Sequence, residues 1–209
     1  MKLAVDGKEA GTRTLVVRKD PNSGASEADV QTSAKFSHTV FRDISAAARM
    51  INELEWTRRQ LEDFRRMLKA GKADKALLAQ ADELEKKARA VEDRLLQPTL
   101  AEGDLKSFRG PLEIYLKLIW LQAESGVSGS DVSGNADFPP TEAEREVYDL
   151  LSGQLAQSRR DFDDLYGKTI PAFNDAMKAK GYIQIMTVKE PEESRPDERE
   201  REPDDEGNP

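Results

Sequence analysis

The sequence has 209 residues, with no cysteine and a single histidine. Without cysteine the chain forms no disulfide, has no thiolate for catalysis and offers no cysteine ligand to a metal. Helical di-metal sites require Glu-x-x-His pairs on facing helices, and His38 alone cannot supply them. We therefore expect His38 to lie on the surface, and we expect neither a cofactor nor a buried di-metal centre.

Long hydrophobic runs are also missing. The longest apolar stretch, Ile114–Leu121, is short and interrupted by Lys117, which predicts no transmembrane helix. Met1 is followed directly by strand-like sequence, without a basic region and apolar stretch, so no signal peptide is predicted. These features do not indicate a cellular compartment for the protein.

Aromatic residues are few, at 6%, whereas charged residues reach 34%, a profile typical of an amphipathic helical protein with a thin core. The net charge of −8 is concentrated at the C-terminal end, where 189–209 carries four basic and ten acidic residues. A body near −2 lacks the net basic face that phosphate binding needs, so nucleic acid is not expected as a partner. We predict that 189–209 is a disordered acidic tail.

Apolar residues recur at three- and four-residue steps through most of the chain, which indicates helices. Start and stop signals place these helices at about 27–69, 74–96, 111–124 and 142–181. Pro171 is expected to kink or break the last helix near Thr169. Because the connections are short, we predict a mainly α fold, an antiparallel four-helix bundle over 26–181.

Strand-like sequence is confined to the two ends of the chain. Lys2–Val5 and Thr12–Arg18, joined by a turn at Asp6-Gly7, predict a small terminal β-hairpin within 2–18, and 182–188 is a candidate third strand beside it. An isolated two-stranded hairpin is marginal in water and its edges are open. We therefore expect that residues 1–20 are the end of a sheet that continues upstream, in sequence that this chain lacks.

One loop has the spacing of a calcium-binding loop. Carboxylate, hydroxyl and amide side chains occupy positions 1, 3, 5, 7 and 12 of an EF-hand-like pattern, and these are Asp131, Ser133, Asn135, Asp137 and Glu142. Ala136 stands where the sharp turn requires glycine, and Pro139-Pro140 precede the exit helix. The stronger interpretation is a Gly/Ser loop followed by an acidic helix cap.

Three carboxylates on the last helix, Asp161, Asp163 and Asp164, lie beside Tyr166 in the sequence. Paired carboxylates can perform acid–base catalysis, but no nucleophile, histidine or Gly-rich loop accompanies them. We expect ion pairs with core-seam arginines such as Arg58 and Arg65 instead. Trp56 and Trp120 are expected in the core or in a subunit contact rather than as sugar-stacking platforms. No catalytic residue is predicted.

Four groups of short stretches stand out: Leu15–Ser23 with Glu27–Asp29, Phe108 with Pro111-Leu112 and Tyr115–Leu118, Ala136–Thr141 with Arg145–Val147, and Ile170–Asn174. They resemble the C-terminal helical region of bacterial sortilin-type propeller proteins with Asp-box (BNR) repeats, which are often labelled glycosyl hydrolases or sialidase-like. The first of these looks like the end of an Ig- or fibronectin-like strand entering a helical region. The resemblance covers roughly residues 2–182, and the acidic tail has no counterpart.

The resemblance implies an accessory module behind a propeller and an Ig- or fibronectin-like β-sandwich, in an exported, periplasmic or extracellular protein. The propeller repeats are absent from this chain, so the resemblance carries no catalytic residue onto it. Our prediction is a non-catalytic structural or interaction module whose partners are the upstream propeller and sandwich of the same protein. The alternatives are a self-standing helical scaffold that forms a homodimer, or part of a glycosidase-like enzyme whose active site lies in the missing propeller.

Overall fold

The computed structural model describes residues 1–16, 18–71, 74–97, 110–127 and 138–187. The protein is mainly helical, with a small two-stranded antiparallel sheet at its N-terminal end. The described elements are β1 (Lys2–Val5), β2 (Lys8–Thr12), α1 (Glu27–Ala70), α2 (Lys75–Leu95), α3 (Ile114–Gln122), a π-helical turn (Ala123–Val127), α4 (Glu142–Asp164), a second π-helical turn (Leu165–Thr169) and α5 (Ile170–Ala179). The acidic tail lies outside the described residues.

The hairpin forms at the predicted Asp6-Gly7 turn. Both turn residues have positive φ, 50° and 74°, as a two-residue type I′ turn requires. Because this turn is so short, the second strand begins at once, and β2 is Lys8–Thr12. The predicted strand Thr12–Arg18 is therefore wrong at residues 13–16 and 18, which the structure describes outside any strand. Ala10 has no partner in the pairing register and forms a bulge in β2.

Helix α1 begins and ends close to the predicted positions. The Ser26 side chain accepts a hydrogen bond from the Asp29 backbone N–H at 3.1 Å, and the Asp29 carboxylate accepts one from the Ser26 N–H at 2.9 Å. This capping box satisfies two donors that would otherwise be free at the helix start. The helix has 44 residues and ends before Gly71, so it spans roughly 66 Å.

Helices α2 and α3 both run opposite to α1. Arg65 of α1 pairs with Glu85, and Arg58 pairs with Glu92 further along α2, so the two helices are antiparallel. Gly110 lies against the Gln97 side chain just beyond α2. At the other end of α3, the Gln122 amide donates to the Ser37 hydroxyl at 2.8 Å.

α3 therefore continues in the direction of α2 along α1. In an up-and-down antiparallel bundle, each helix runs opposite to the helix before it. α3 does not, because it runs in the same direction as α2. Its span is also shorter than predicted, because α-helical geometry begins at Ile114 and gives way to the π-helical turn at Ala123.

α4, the second π-helical turn and α5 form a continuous rod (142–179) that runs parallel to α1. Three contacts at increasing numbers in both helices fix this direction. Tyr148 donates to Asp43 at 2.8 Å, Tyr166 and Thr57 share a hydrogen bond of 2.8 Å, and the Phe173 and Phe64 rings meet edge to face at 5.9 Å.

The predicted break near Thr169 takes the form of the π-helical turn. Pro171 has no N–H to donate to the residue four positions earlier. The Ile170 N–H instead bonds to the Leu165 carbonyl, five residues back, which is the π-helical pattern. The rod therefore passes the proline without ending.

After α5 the chain turns sharply at Gly181 and then runs extended. Gly181 has φ +76°; its N–H bonds to Lys178 O at 3.0 Å, and the Tyr182 N–H bonds to Met177 O at 3.0 Å, which is the Schellman pattern. Residues Tyr182–Thr187, called the strap below, form no strand in the part of the chain that the structure describes. The predicted third strand beside the hairpin is therefore wrong over these residues, because side chains of α1 and α5 bind the strap's backbone.

The core lies where α1, the α4–α5 rod and the α2–α3 side meet. Apolar residues from all the helices contribute to it, among them Leu54, Leu61, Leu84, Leu118, Leu155 and Phe173. Trp56 and Trp120 do not belong to it: they are 62% and 59% exposed, so their predicted core position is wrong. Among the described helices, none is long and apolar enough to cross a membrane.

Candidate functional site

The EF-hand-like candidate cannot be assembled from the described residues. Asp131, Ser133, Asn135 and Asp137 lie outside them. Glu142 is in the first turn of α4, next to the capping box that Thr141 and Glu144 form at 2.6–3.2 Å. The predicted acidic helix cap is therefore confirmed. Elsewhere in the described chain, no group of three His, Cys, Asp or Glu side chains is placed to hold a metal.

Two of the three carboxylates named from the sequence, Asp161 and Asp164, flank an open groove of about 420 Å³ between α2 and the α4–α5 rod, whereas Asp163 is exposed and does not line it. Its walls are Lys87, Ala90, Val91, Arg94, Asp161, Asp164, Leu165 and Thr169. A second hollow of about 280 Å³ shares Lys87 and Thr169 with it and continues along α5 above Leu84 and Phe173. Together these form a shallow cleft with an apolar floor and charged walls.

The charges on those walls neutralise one another. Asp161 accepts hydrogen bonds from Arg94 at 2.7 Å and Gln157 at 3.0 Å, and these bonds, with that from Arg94 the strongest, lower the pKa of the Asp161 carboxyl. Asp164 accepts a hydrogen bond from Lys168 at 2.6 Å, which raises the pKa of that lysine. The lowered pKa keeps the Asp161 carboxylate ionised near neutral pH, so Asp161 does not hold the proton that a general acid must donate.

Tyr166, adjacent in the sequence, does not join this cleft. Its hydroxyl lies 2.8 Å from the Thr57 hydroxyl on α1. Burial is the main reason that the pKa of Tyr166 is raised, so the phenol stays protonated. The Tyr166 hydroxyl therefore faces α1, whereas Asp161 and Asp164 line the cleft on the α2 side.

Arg58 and Arg65 do form ion pairs between helices, although their partners are not the predicted aspartates of α4. Arg58 pairs with Glu92, whose side chain is almost fully buried, and Arg65 pairs with both Glu85 and Asp82. Burial raises the pKa of Glu92 despite the neighbouring Arg58. Asp161 finds Arg94 instead, because α2 and not α1 faces that side of α4.

The N-terminal hairpin is exposed over its whole length. Every residue of β1 and β2 is exposed, and no strand other than these two is paired in the described chain. Met1 and Arg13 exchange both backbone hydrogen bonds, at 2.7 and 2.9 Å. Because bonded and non-bonded positions alternate along an antiparallel ladder, Lys2 and Ala4 direct their backbone groups away from β2.

The hairpin also presents apolar side chains to solvent. Leu3 and Val5, 63% and 55% exposed, lie two residues apart and so share one face of β1. Leu15 and Val16 follow the hairpin and are exposed as well. An open strand edge next to an uncovered apolar face is the surface that a neighbouring sheet would cover.

The strap is held by two carboxamides that sequence reasoning missed. Asn174 of α5 donates to Ile185 O and accepts from Ile185 N–H, both at 2.9 Å. Gln60 of α1 donates to Met186 O at 2.8 Å and accepts from Met186 N–H at 2.9 Å. Isolated polar residues on helices give no sequence signal for such a role, because the same pattern is typical of any solvated helix face.

No known protein family, curated protein or solved structure matches the chain. The resemblance to sortilin-type Asp-box propeller proteins therefore stays a prediction that rests on the short stretches of sequence given above. The function must be argued from the geometry of the hairpin, the cleft and the strap.

Proposed function

We propose that this chain is a non-catalytic structural and interaction module: a helical bundle that carries a β-hairpin for pairing with another sheet. In this proposal α1 and the α4–α5 rod run one way, and α2 and α3 run the other. The partner that we propose is the edge of a β-sandwich, supplied by the upstream sandwich and propeller that the sequence resemblance implies. The exposed hairpin is the observation that carries the proposal.

Strand pairing would satisfy what the hairpin leaves open. The outward backbone groups at Lys2 and Ala4 are a row of donors and acceptors ready for another strand. Leu3 and Val5 would lie in the apolar layer beneath the enlarged sheet, where burial stabilises each side chain by about 1.5–3 kcal/mol.

The β1 edge is the better of the two edges for this pairing. In β2, the bulge at Ala10 interrupts the regular alternation of backbone groups, and bulges at an edge hinder further pairing. In β1, Lys2–Val5 is continuous. We therefore assign the added strand to β1.

The cleft between α2 and the rod supports a structural role for the helices. Its acids, Asp161 and Asp164, each lie within an ion pair with a neighbouring helix or turn residue. Only the Asp161–Arg94 pair joins two helices, α4 and α2, and an exposed pair of this kind contributes only about 0–1 kcal/mol.

Site-specific photocrosslinking in the source cell tests the proposal. A benzophenone amino acid at Leu3 should capture a peptide that mass spectrometry assigns to a β-strand of the partner sheet. Ala4→Pro in the same chain should abolish that crosslink, because proline removes an outward N–H that β1 does not use in pairing with β2.

The matched control is the same photoreactive residue at His38, an exposed position on α1. A Leu3 yield equal to the His38 yield, or a Leu3 crosslink that Ala4→Pro leaves unchanged, would contradict strand addition at β1.

A homodimeric scaffold is the alternative that one observation favours. Trp56 on α1 and Trp120 on α3 are both more than half exposed, and large exposed aromatic side chains are enriched at subunit contacts. Light scattering across a concentration series separates the two proposals. A tight dimer that the double variant Trp56→Ala/Trp120→Ala converts to monomer would favour the scaffold.

The third proposal, that the chain forms part of a glycosidase-like enzyme, rests on the sequence resemblance alone, which is analogy. Incubation of the purified chain with sialosides and common aryl glycosides is expected to give no turnover above buffer. Saturable turnover would overturn the non-catalytic assignment.

A further inference from the structure

The strap runs along α1 in the direction opposite to that of the helix. The Tyr182 ring meets Phe64 edge to face at 5.4 Å, and Met186, four residues later, exchanges both backbone hydrogen bonds with the Gln60 side chain. The chain therefore moves toward the N-terminal end of α1 as it leaves the strap. Residues 188–193, which lie outside the described part of the chain, come next in the sequence.

The surface of α1 ahead of the strap carries an exposed aromatic residue, then an acid, then a base. Trp56, Glu53 and Arg49 lie four, seven and eleven residues before Gln60. These spacings are close to one, two and three helical turns, so the three side chains share the face of α1 that binds Met186. Trp56 is 62% exposed.

The rod presents the same order of charges beside this face. Tyr166 is hydrogen-bonded to position 57 of α1, and the rod runs parallel to α1. Asp163 and Arg159 lie three and seven residues earlier, within one residue of the levels of Glu53 and Arg49 respectively. Burial and, as a smaller cause, the Glu53 charge raise the pKa of Tyr166, so Glu53 faces the rod. Neither Arg49 nor Arg159 takes part in an ion pair between described residues.

The sequence that follows the strap has the complementary order. An extended chain advances about 3.3 Å per residue and a helix about 1.5 Å. Counted from Met186, the apolar residue Val188 reaches the level of the exposed tryptophan, and Lys189 reaches that of the two acids. Glu190 and Glu192 fall on either side of the level of the two arginines. Apolar side chains and opposite charges therefore come together in the same register.

The α1–α4 groove is formed by five residues: Trp56, Glu53, Arg49, Asp163 and Arg159. We propose that this groove binds residues 188–193 of the same chain, as an extension of the strap. The sequence alone predicts disorder from residue 189 onward, and the proposal moves the start of that predicted disorder beyond residue 193. Because Val188 then covers Trp56, this tryptophan is not available for the subunit contact of a homodimeric scaffold. The extension is independent of the hairpin and of its partner sheet.

Paramagnetic relaxation enhancement in the full-length chain tests the proposal. A nitroxide attached to Glu193→Cys labels a single site, because the natural sequence has no cysteine. At low ionic strength we expect broadening of the amide signals of Met50 and Arg160, which lie next to the two arginines of the groove. At about 1 M salt, where the screening length is about 3 Å, most of this broadening should disappear.

Charge reversal shows whether the contact is specific. In Arg49→Glu/Arg159→Glu, attraction becomes repulsion at two positions, and the ratio of bound to free segment should fall about tenfold. Adding Glu190→Arg/Glu192→Arg to the same chain should restore the broadening. The matched control is Arg59→Glu, because Arg59 is an exposed arginine on another face of α1; this change should leave the broadening as it was.

Circular dichroism checks that the reversed variants keep their helices. If they do not, the salt series with the unsubstituted groove decides. The proposal would be overturned by an absence of broadening at low ionic strength or by equal broadening at low and high salt. Broadening that Arg49→Glu/Arg159→Glu leaves unchanged would equally overturn it.

Discussion

The hydroxyl groups of Thr57 and Tyr166 lie 2.8 Å apart, joining the middle of α1 to the π-helical turn of the α4–α5 rod. Thr57 is almost fully buried, so its hydroxyl is shielded from water and relies on this partner. The pair fixes the register between the two longest helical elements at the point where the rod departs from α-helical geometry.

A double-mutant cycle should detect this coupling. Thr57→Val and Tyr166→Phe each leave one hydroxyl without its partner, and each should lower the free energy of unfolding by about 1 kcal/mol. The double variant should lose less than the sum, with a coupling of about 0.5–1 kcal/mol by urea denaturation. Thr39→Val, a control on the same helix, should show no coupling to Tyr166→Phe. Additivity at Thr57 would contradict the assigned bond.

The buried Arg58–Glu92 pair predicts a pH dependence. Burial raises the pKa of folded Glu92 above its ordinary value of 4.5, so the folded state binds this proton more tightly than the unfolded state. Its contribution to stability is therefore largest below 4.5 and is lost as the pH rises through the folded pKa. The stability of wild type relative to Glu92→Gln should increase on going from neutral pH to 4.5. A relative stability that falls over this interval would show that Arg58 outweighs burial.

The strap should be released by removing either carboxamide. In Asn174→Ala, Ile185 loses both backbone partners, and in Gln60→Ala, Met186 loses both. We expect amide hydrogen exchange at these two residues to accelerate by about tenfold for each 1.4 kcal/mol of lost stabilisation. Gln31→Ala, an exposed position on α1, serves as the control and should change neither rate. Unchanged protection at Ile185 in Asn174→Ala would contradict the two hydrogen bonds between the Asn174 side chain and the Ile185 backbone.

At the Asp6-Gly7 turn, the substitution Gly7→Ala should destabilise the hairpin. Gly7 has φ +74° with open space around it, so Gly7→Ala adds no clash but places a Cβ in the left-handed region, at a cost of about 1 kcal/mol. Because an isolated hairpin is marginal, cross-strand NMR contacts such as Leu3 to Gly11 should largely disappear. Gly24→Ala, where φ is not positive and space is also open, should leave them intact.

The sequence predicts the helices well because their signals are local. Ser26 and Asp29 place the start of α1, Gly71 places its end, and Pro171 places the π-helical turn within a few residues. The direction of α3 has no local signal, because it depends on where Gly110 and Gln122 meet other elements. The exposure of Trp56 excludes the core but not the subunit contact that the sequence also predicts, because helical spacing does not distinguish the flank of a core stripe from its centre.

The candidate site was predictable only in part. The turn at Asp6-Gly7 and the open hairpin follow from β-sheet chemistry. The start of β2 differs from the prediction because a two-residue turn brings the next residue, Lys8, directly into the second strand. Asn174 and Gln60, which hydrogen-bond the backbone of the strap, are 114 positions apart in the sequence. A single sequence contains no signal that pairs two such distant residues. The alternating apolar residues of the strap therefore predict a strand there.

Backbone amide hydrogen exchange of the isolated chain tests the central claim most directly. The measurement is made at a concentration where light scattering shows a monomer. We predict that the outward-facing amide of Ala4 exchanges at close to the rate of an unstructured peptide, while buried positions of α1 such as Leu54 and Leu61 remain protected. Strong protection at Ala4 in the monomer would mean that the hairpin edge is already covered, and would contradict the proposed strand addition.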